Sequence, residues 1–428
     1  MLFYSTRDKN NKKTVSQAIV QGLAEDGGLF VPEYFPQIDW KSLDRNLSYP
    51  SFAAKILADY FSDDVLEAQL INICQNAFSF AIPLVELNDN TIIMELFQGP
   101  TLSFKDFGAR FLAECMSRLS KDQKTIIIVA TSGDTGSAVA SAFHKKSNVD
   151  VIVMFPTGQI SARQEQQITC WGDNILAVSV NGTFDDCQKI VKQSFNEDWW
   201  KQQAHLSSAN SINIARLLPQ LTYYAYISWQ YFLENKQEIG FVIPTGNVGN
   251  STAAYWAKAM GFPIREICLA TNANRVISDY ISTNKFEPKA SIATIANAMD
   301  VGNPSNFERL LHLHNNEHDI FTQNVTSYSV TDEQIRETIK EVKQKHNYIV
   351  CPHTATGYFV RKKLNDKPWI IAATAAPSKF ETVIEPIIEE KIQVPSQLSS
   401  LLEKVAHKVI TNPVMAEVQQ AYANNLTK

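Results

Sequence analysis

Of 428 residues, 45% are apolar and 19% charged, which excludes a largely disordered chain and predicts two or three globular domains. The formal charge is −5 with no basic block, and no apolar run nears the ~18 residues of a membrane helix, so no nucleic-acid footprint and no membrane span are expected. The start Met1-Leu-Phe-Tyr-Ser-Thr-Arg-Asp turns polar at once, unlike a signal peptide, and a cytoplasmic protein is expected.

Ser16–Leu23 and Ser51–Phe61 carry apolar residues at helical spacing. Between them, Asp26-Gly-Gly-Leu-Phe-Val-Pro is turn chemistry followed by a short extended piece. These signals predict a small, mainly helical N-terminal domain over residues 1–83. From there to residue 428 the rhythm changes. Thr125–Ala130, Val149–Phe155 and Ile175–Val180 are short, β-branched, nearly continuous apolar runs, each followed by a polar turn and a helical pattern. Parallel strands buried on both faces read this way, and their alternation with helices predicts an α/β fold. The pattern returns at Phe241–Ile243, Ile267–Thr271 and Trp369–Thr374. A smaller α/β subdomain is expected over about residues 100–205, with a larger one built from the remainder. Lys201–Lys236 reads mainly helical, with the aromatic stripe Tyr223-Tyr-Ala-Tyr-Ile-Ser-Trp as core, and Asn284–Asn324 reads as an irregular, lid-like segment.

Only 16 glycines occur, and four of them sit in two loops of similar design. Ala130-Thr-Ser-Gly-Asp-Thr-Gly-Ser-Ala follows one strand and opens a helix expected at Ser137–Phe143. Pro244-Thr-Gly-Asn-Val-Gly-Asn-Ser-Thr follows another and opens a helix expected at Thr252–Met260. A strand feeding a glycine turn and a helix aims several N–H groups at one spot, where the helix dipole adds positive charge. Such loops bind a phosphate or a carboxylate. Neither matches G-x-x-x-x-G-K-[ST] or G-x-G-x-x-G, so ATP and NAD sites are not supported.

Gly99-Pro-Thr-Leu-Ser-Phe-Lys105-Asp-Phe-Gly carries a lysine among phenylalanines, with Ser103 as the expected helix N-cap. A lysine in the first helical turn meets the positive end of the dipole. Burial and dipole both lower its pKa and free the amine as a nucleophile or Schiff-base former. The other reactive side chains are less ordered. Six cysteines show no C-x-x-C spacing and read as buried small hydrophobes, Cys351 beside His353 included. His314 and His318 would share a helix face with His312 nearby, a weak metal pattern in a polar setting. No metal is expected.

Gly99–Gly108 resembles the pyridoxal-phosphate lysine motif of the threonine synthases. Ala130–Gly136 resembles their next signature, and Pro244–Asn250 their cofactor-phosphate loop. Further likenesses run in order through Gln21–Pro32, Ser208–Arg216, Asn297–Gly302 and Thr374–Phe380. The lysine motif alone indicates only the broader fold-type II pyridoxal-phosphate group. The N-terminal segment and Asn210–Arg216 narrow it to threonine synthases of the microbial and fungal type. The resemblance implies a fold-type II architecture like that of the tryptophan synthase β chain, with two parallel-sheet subdomains. It implies pyridoxal 5'-phosphate carried by Lys105, which would also move protons. Gly246, Asn247, Val248, Gly249 and Asn250 would bind the cofactor phosphate, Thr374 the pyridine nitrogen, and Asp134 the ring hydroxyl. Thr131, Ser132, Gly133 and Thr135, with Asp134, would meet the substrate carboxylate. Ser211, Asn213 and Arg216 would grip the substrate phosphate.

The implied reaction converts O-phospho-L-homoserine and water to L-threonine and phosphate, with closure of the site around the substrate. The implied partner is that small molecule, with no nucleic acid or membrane, and a monomer or a homodimer fits equally. A sister fold-type II lyase, a dehydratase or a phospho-lyase, shares most of these motifs. A non-catalytic ligand-binding relative is argued against by Lys105. Two departures stand out. Ala376 occupies the place of the family's usual histidine, and Cys351-Pro-His353 varies a more usual acidic-Pro-His start. Neither segment is assigned a proton-transfer role.

Overall fold

The β-branched runs form strands because sheet and helix layers cover both of their faces. The computed structural model describes residues 1–88, 90–120 and 124–426. It opens with a small antiparallel sheet of β1 (Leu2–Ser5), β2 (Lys13–Thr14) and β3 (Phe30–Pro32), ordered β2-β1-β3. Strands β4 (Leu84–Asn88) and β5 (Thr91–Glu95) begin a six-stranded sheet. Next come β6 (Thr125–Ala130), β7 (Val149–Pro156), β8 (Ile175–Val180) and β9 (His205–Ser207) of a five-stranded sheet. The chain then returns to the six-stranded sheet with β10 (Ile239–Pro244), β11 (Ile264–Thr271), β12 (Thr326–Ser329) and β13 (Trp369–Ala373). Its order is β12-β11-β10-β13-β5-β4, parallel except for the β4–β5 hairpin. Finally β14 (Val409–Thr411) completes the all-parallel order β14-β8-β7-β6-β9.

Alternation along the strands sorts side chains between layers. Ile126, Ile128, Ile152 and Met154 face an outer layer with Ile190 and Tyr422. Ile127, Val129, Val151 and Val153 face the central core, as do Phe241, Ile243 and Leu269 of the other sheet. The helices Lys105–Leu119, Ile214–Asn235 and Gly249–Ala259 fill that core. Trp369, Ile371 and Ala373 point to the far side of the six-stranded sheet.

The N-terminal helices form as Val15–Gln21, Tyr49–Leu57 and Leu70–Ala77, joined by a three-stranded sheet that helical spacing did not foretell. Their apolar faces enter the central core: Phe52 stacks on Trp229 at 5.0 Å. The Lys201–Lys236 stretch is mainly helical as expected, through Asp198–Gln203 and Ile214–Asn235, with the short strand His205–Ser207 paired to β6 between them. Two further expectations are corrected. Asn284–Asn324 is irregular only in its first part and ends in the helices Phe307–Leu313 and His318–Asn324. These separate His314 from His318, whose rings meet Leu310 O and Tyr280 O respectively. The smaller sheet is not confined to residues before 205, since β14 and the helix Met415–Leu426 come back to it. Among the described residues, no helix is long and apolar enough to cross a membrane.

Phe107 is fully buried on the Lys105 helix, and its ring meets Tyr49, Phe78, Phe80 and Tyr223 with centroids at 6.0, 5.9, 4.7 and 5.0 Å. It therefore joins the N-terminal segment to the helix that carries the lysine. Phe107→Ala is expected to lower unfolding free energy by about 3–5 kcal/mol in urea denaturation. A change within error would show that this aromatic cluster does not tie the two together.

Candidate active site

Lys105 is placed by backbone hydrogen bonds rather than by a side-chain cap. Its helix starts at Lys105 with Phe104 as N-cap, so Ser103 does not cap it. Instead, Phe104 N–H donates to Thr374 O at 2.8 Å and Ala376 N–H to Leu102 O at 3.0 Å, with Ser103 bridging Ala375. This short antiparallel pairing locks the lysine to the end of β13, beside the buried Thr374. Ala376 packs with Leu102 and Leu398 in a small apolar cluster.

Two lysines meet here in different states. Lys105 Nζ lies 4.9 Å over the Phe104 ring and has no hydrogen-bond acceptor among the described residues. Burial drives its amine down to about 8; Asp134 opposes the shift, and Lys379 and Arg216 add to it. Lys379 is fully buried and committed, 2.8 Å from Asp134 Oδ1 and 2.8 Å from Thr101 O. Burial alone would raise the Asp134 carboxyl, but Lys379, Lys105 and the Gln164 amide hold it far below the usual carboxylate range. The ion pair joins a helix on the five-stranded sheet to the turn after β13 of the other sheet.

The loop after β6 opens its helix at Asp134, not Ser137, so the carboxylate occupies the favourable end of the dipole. Thr131 Oγ1 accepts from Gly133 N at 3.0 Å and Gly136 N at 2.8 Å. Gly133 has φ +127°, and a Cβ there would strike the Gln164 amide at 2.5 Å. Ser132 and Thr135 are partly buried alongside. Thr131 thus shapes the turn as an acceptor, and its hydroxyl hydrogen is left to donate.

The loop after β10 opens its helix at Gly249, not Thr252, with Val248 left-handed at φ +65°. A Cβ on Gly246 would sit 2.7 Å from Met299 Cα, so this loop and the 298–299 turn pack backbone to backbone. Asn250 Oδ1 accepts from the Tyr223 and Tyr224 hydroxyls, which leaves its Nδ2 buried without a partner. Asn247 Nδ2 donates to Ser211 Oγ at 2.9 Å, and Asn306 Nδ2 does so at 3.2 Å. A hydroxyl that accepts twice has its own hydrogen left to donate. Asn250 and Ser211 therefore both present donors, the chemistry of an anion site.

The expected substrate-phosphate trio is divided. Ser211 joins the Asn247 loop. Asn213 caps the long helix through Oδ1, and its Nδ2 donates to Ile19 O and Ser208 O, so its amide is spent on structure. Arg216 is buried with Nε unpartnered, and it crosses the Lys105 helix at Gly108, where a Cβ would meet Nε at 2.8 Å. His353, read from sequence as core with Cys351, lies within the field of Lys105, Asp134 and Lys379. Burial pushes it down to about 4, Asp134 opposing and both lysines adding, and Nε2 accepts from Ala298 N at 3.2 Å.

Comparison with known proteins decides the family. A model described as pyridoxal-phosphate dependent enzyme matches residues 82–372, and one described as threonine synthase N terminus matches residues 2–78. The threonine synthase of Serratia marcescens is 36% identical, covering 93% of this chain and 94% of that one. The crystal structure of threonine synthase from Escherichia coli superposes with TM-score 0.92 at 35% identity, covering 99% of this chain and all of that one. The chain belongs to the threonine synthase family. Pyridoxal-phosphate-bound threonine synthase from Brucella melitensis also superposes, with TM-score 0.92 at 30% identity and full coverage of both chains.

The cofactor of this family is pyridoxal phosphate, and the residues present fit it. Lys105 supplies a free amine, Asn250 and Ser211 supply donors for a phosphate, and Ser103 Oγ and Thr245 Oγ1 are further buried polar atoms without partners. Tyr223, Tyr224 and Gln164 belong to this site but lie outside the motifs named above. Tyr223 and Tyr224 look like core in sequence, and they are, but their hydroxyls aim Asn250. Lys379 lies within the Thr374–Phe380 motif, which gives no sign of its pairing with Asp134.

The two lysines make a pH test. In the full chain, labelling of Lys105 by trinitrobenzenesulfonate should rise through about pH 8, because the amine reacts only when neutral. Asp134→Asn removes the opposing charge and should move the midpoint down. Lys379→Met removes a repelling charge and should move it up. A midpoint near 10.5 in all three would contradict this arrangement.

Proposed function

We propose that the chain converts O-phospho-L-homoserine and water to L-threonine and inorganic phosphate, working in the cytoplasm with Lys105 as its proton-transfer group. The observation that carries this reading is the contrast between the lysines: Lys379 is paired with Asp134, while Lys105 stands unbonded beside donor-lined loops.

Lys105 would hold the cofactor, with Gly246, Asn247, Val248, Gly249 and Asn250 at its phosphate, Thr374 at its pyridine nitrogen and Asp134 toward its ring hydroxyl. Bound there, pyridoxal phosphate takes up the electron pair left when the substrate's α carbon loses a proton. Lys105 Nζ is placed to take that proton and return it, and a pKa near 8 suits both directions near neutral pH. A hydroxyl at position 374 balances charge on a ring nitrogen less than a carboxylate would, which favours elimination and replacement over transamination. Arg216, with a buried unpartnered Nε–H, takes the charge of the departing phosphate at the γ carbon, while Ser211 offers its donor from the Asn247 loop. At the start of the Asp134 helix, the Ser132 and Thr135 N–H groups and the Thr131 hydroxyl would meet the substrate carboxylate, with Gly133 giving the backbone room to turn there. In balance, phosphate leaves Cγ, water gives its hydroxyl to Cβ, and Cγ ends as a methyl group. Closure of the two sheets' loops keeps water out until phosphate has gone. Residues 1–83 act as a supporting domain that buttresses the Lys105 helix through Phe107.

Phosphate release from O-phospho-L-homoserine, without ammonia release from threonine, is the expected outcome of assaying the two substrates side by side. The reverse pattern favours a dehydratase. Lys105→Ala should reduce kcat by roughly 10²–10⁴ or more. Arg216→Ala should weaken phosphohomoserine binding by about 1.5–3 kcal/mol while sparing the cofactor; equal loss of both would remove Arg216 from the substrate phosphate.

A further inference from the structure

Behind the Ser211–Asn247 junction lies a cation with no obvious purpose. Arg309 is fully buried, and its donors all end on neutral oxygens. Nε donates to Phe30 O at 3.0 Å, one terminal nitrogen to Asn306 Oδ1 at 2.7 Å and Ser211 O at 3.3 Å, and the other to Ile212 O at 2.7 Å. No carboxylate lies within 4.0 Å of it among the described residues; the adjacent Glu308 pairs with Arg7 instead. Burial pulls Arg309 down to about 9, with Glu308 opposing. An unpaired buried charge is costly to a fold. Such a charge is understandable where a bound anion completes the pair.

The surrounding bonds point the same way. Arg309 draws on Asn306 Oδ1, which turns Asn306 Nδ2 toward Ser211 Oγ. Asn247 donates to the same oxygen, and Ser305 N–H fixes Asn247 by donating to its Oδ1 at 2.7 Å. The chain of polarity runs from a buried cation through Asn306 to a hydroxyl whose hydrogen is left to donate. Asn250 Nδ2, buried and unpartnered, belongs to the same loop.

We propose that Arg309 is the buried counter-cation of a phosphate-monoester site at the Ser211–Asn247 junction, acting as a positioning residue through Asn306 and Ser211 without touching the anion. The inference rests on the reading of Gly246–Asn250 as a phosphate loop. The monoester is the cofactor's own phosphate or the substrate's leaving phosphate, and both share this chemistry. Arg309 also holds Phe30 O, so the N-terminal segment helps to seat the cation.

The test compares affinities of the full chain for pyridoxal phosphate and for pyridoxal, by absorbance titration after removal of cofactor. A parallel arm measures inorganic phosphate binding to the cofactor-loaded protein. Arg309→Gln should cut the preference for pyridoxal phosphate over pyridoxal, or the affinity for inorganic phosphate, by about tenfold, the size of one poorly screened charge. The first arm assigns the site to the cofactor, the second to the substrate. Asn306→Asp guards against loss of folding, because it sets a carboxylate against Arg309 and cancels its charge in place. N306D should keep or raise the melting temperature, but it also removes the Nδ2 donor to Ser211. The charge itself is read by Arg309→Lys, which should keep most of the phosphate affinity that Arg309→Gln loses, a rescue by charge that a merely structural arginine fork does not give. A lowered melting temperature in N306D would contradict an unpaired cation at 309. A wild-type chain with no preference for pyridoxal phosphate overturns both this inference and the functional reading. A wild-type preference that survives Arg309→Gln and Asn306→Asp, with inorganic phosphate binding unchanged, overturns this inference alone.

Discussion

Two backbone hydrogen bonds hold the site together, from Phe104 to Thr374 and from Ala376 to Leu102. They fasten the residues just before one helix to those just after a central strand, about 270 positions apart in sequence. A lysine on a free loop would swing to water, because its chain is long and its charge is well hydrated. Here the helix begins at the lysine itself, and the aromatic packing of Phe107 beneath it removes that freedom. Burial then acts on the amine, and the low pKa follows from the placement.

Charge is arranged by the same frame. The helix at Asp134 and the turn at Lys379 come from different sheets, and their buried ion pair is the point where the sheets' loops join. Removing either partner would leave the other charge stranded in a dry setting, a larger penalty than the pair's own net worth. The pair also occupies Lys379. Of two buried amines a few residues from the site loops, only Lys105 is left available. Positive charge accumulates around it from Lys379 and Arg216, the second without an ion-paired carboxylate among the described residues. The interior therefore favours ligands that carry anionic groups, as both a phosphorylated cofactor and a phosphorylated amino acid do.

Much of this was legible in the chain. The continuous runs Thr125–Ala130 and Ile175–Val180 are strands with those bounds, since no other element buries such runs on both faces. The glycine loops were found for the right reason but misjudged in extent: each helix starts three residues earlier than its apolar pattern. Asp134 and Gly249 lie in the first turn, where N–H direction matters more than hydrophobic spacing. Strands of three residues, such as His205–Ser207 and Val409–Thr411, carry too little pattern to be seen alone and exist because a neighbouring edge pairs with them. The polar wiring was beyond reach for a related reason. Nothing local says that Lys379 is buried against Asp134, or that Asn213 caps a helix while Ser211, two residues away, turns to Asn247. Those choices are made by partners dozens to hundreds of residues distant.

The chemistry of the site depends on which buried amine is available. Borohydride reduction of the protein loaded with pyridoxal phosphate, followed by peptide mapping, reads this directly. The label is expected on the peptide containing Lys105. A label on Lys379 would mean that the Asp134 pair is not what holds that lysine, and the site described here would have to be rebuilt around the other amine.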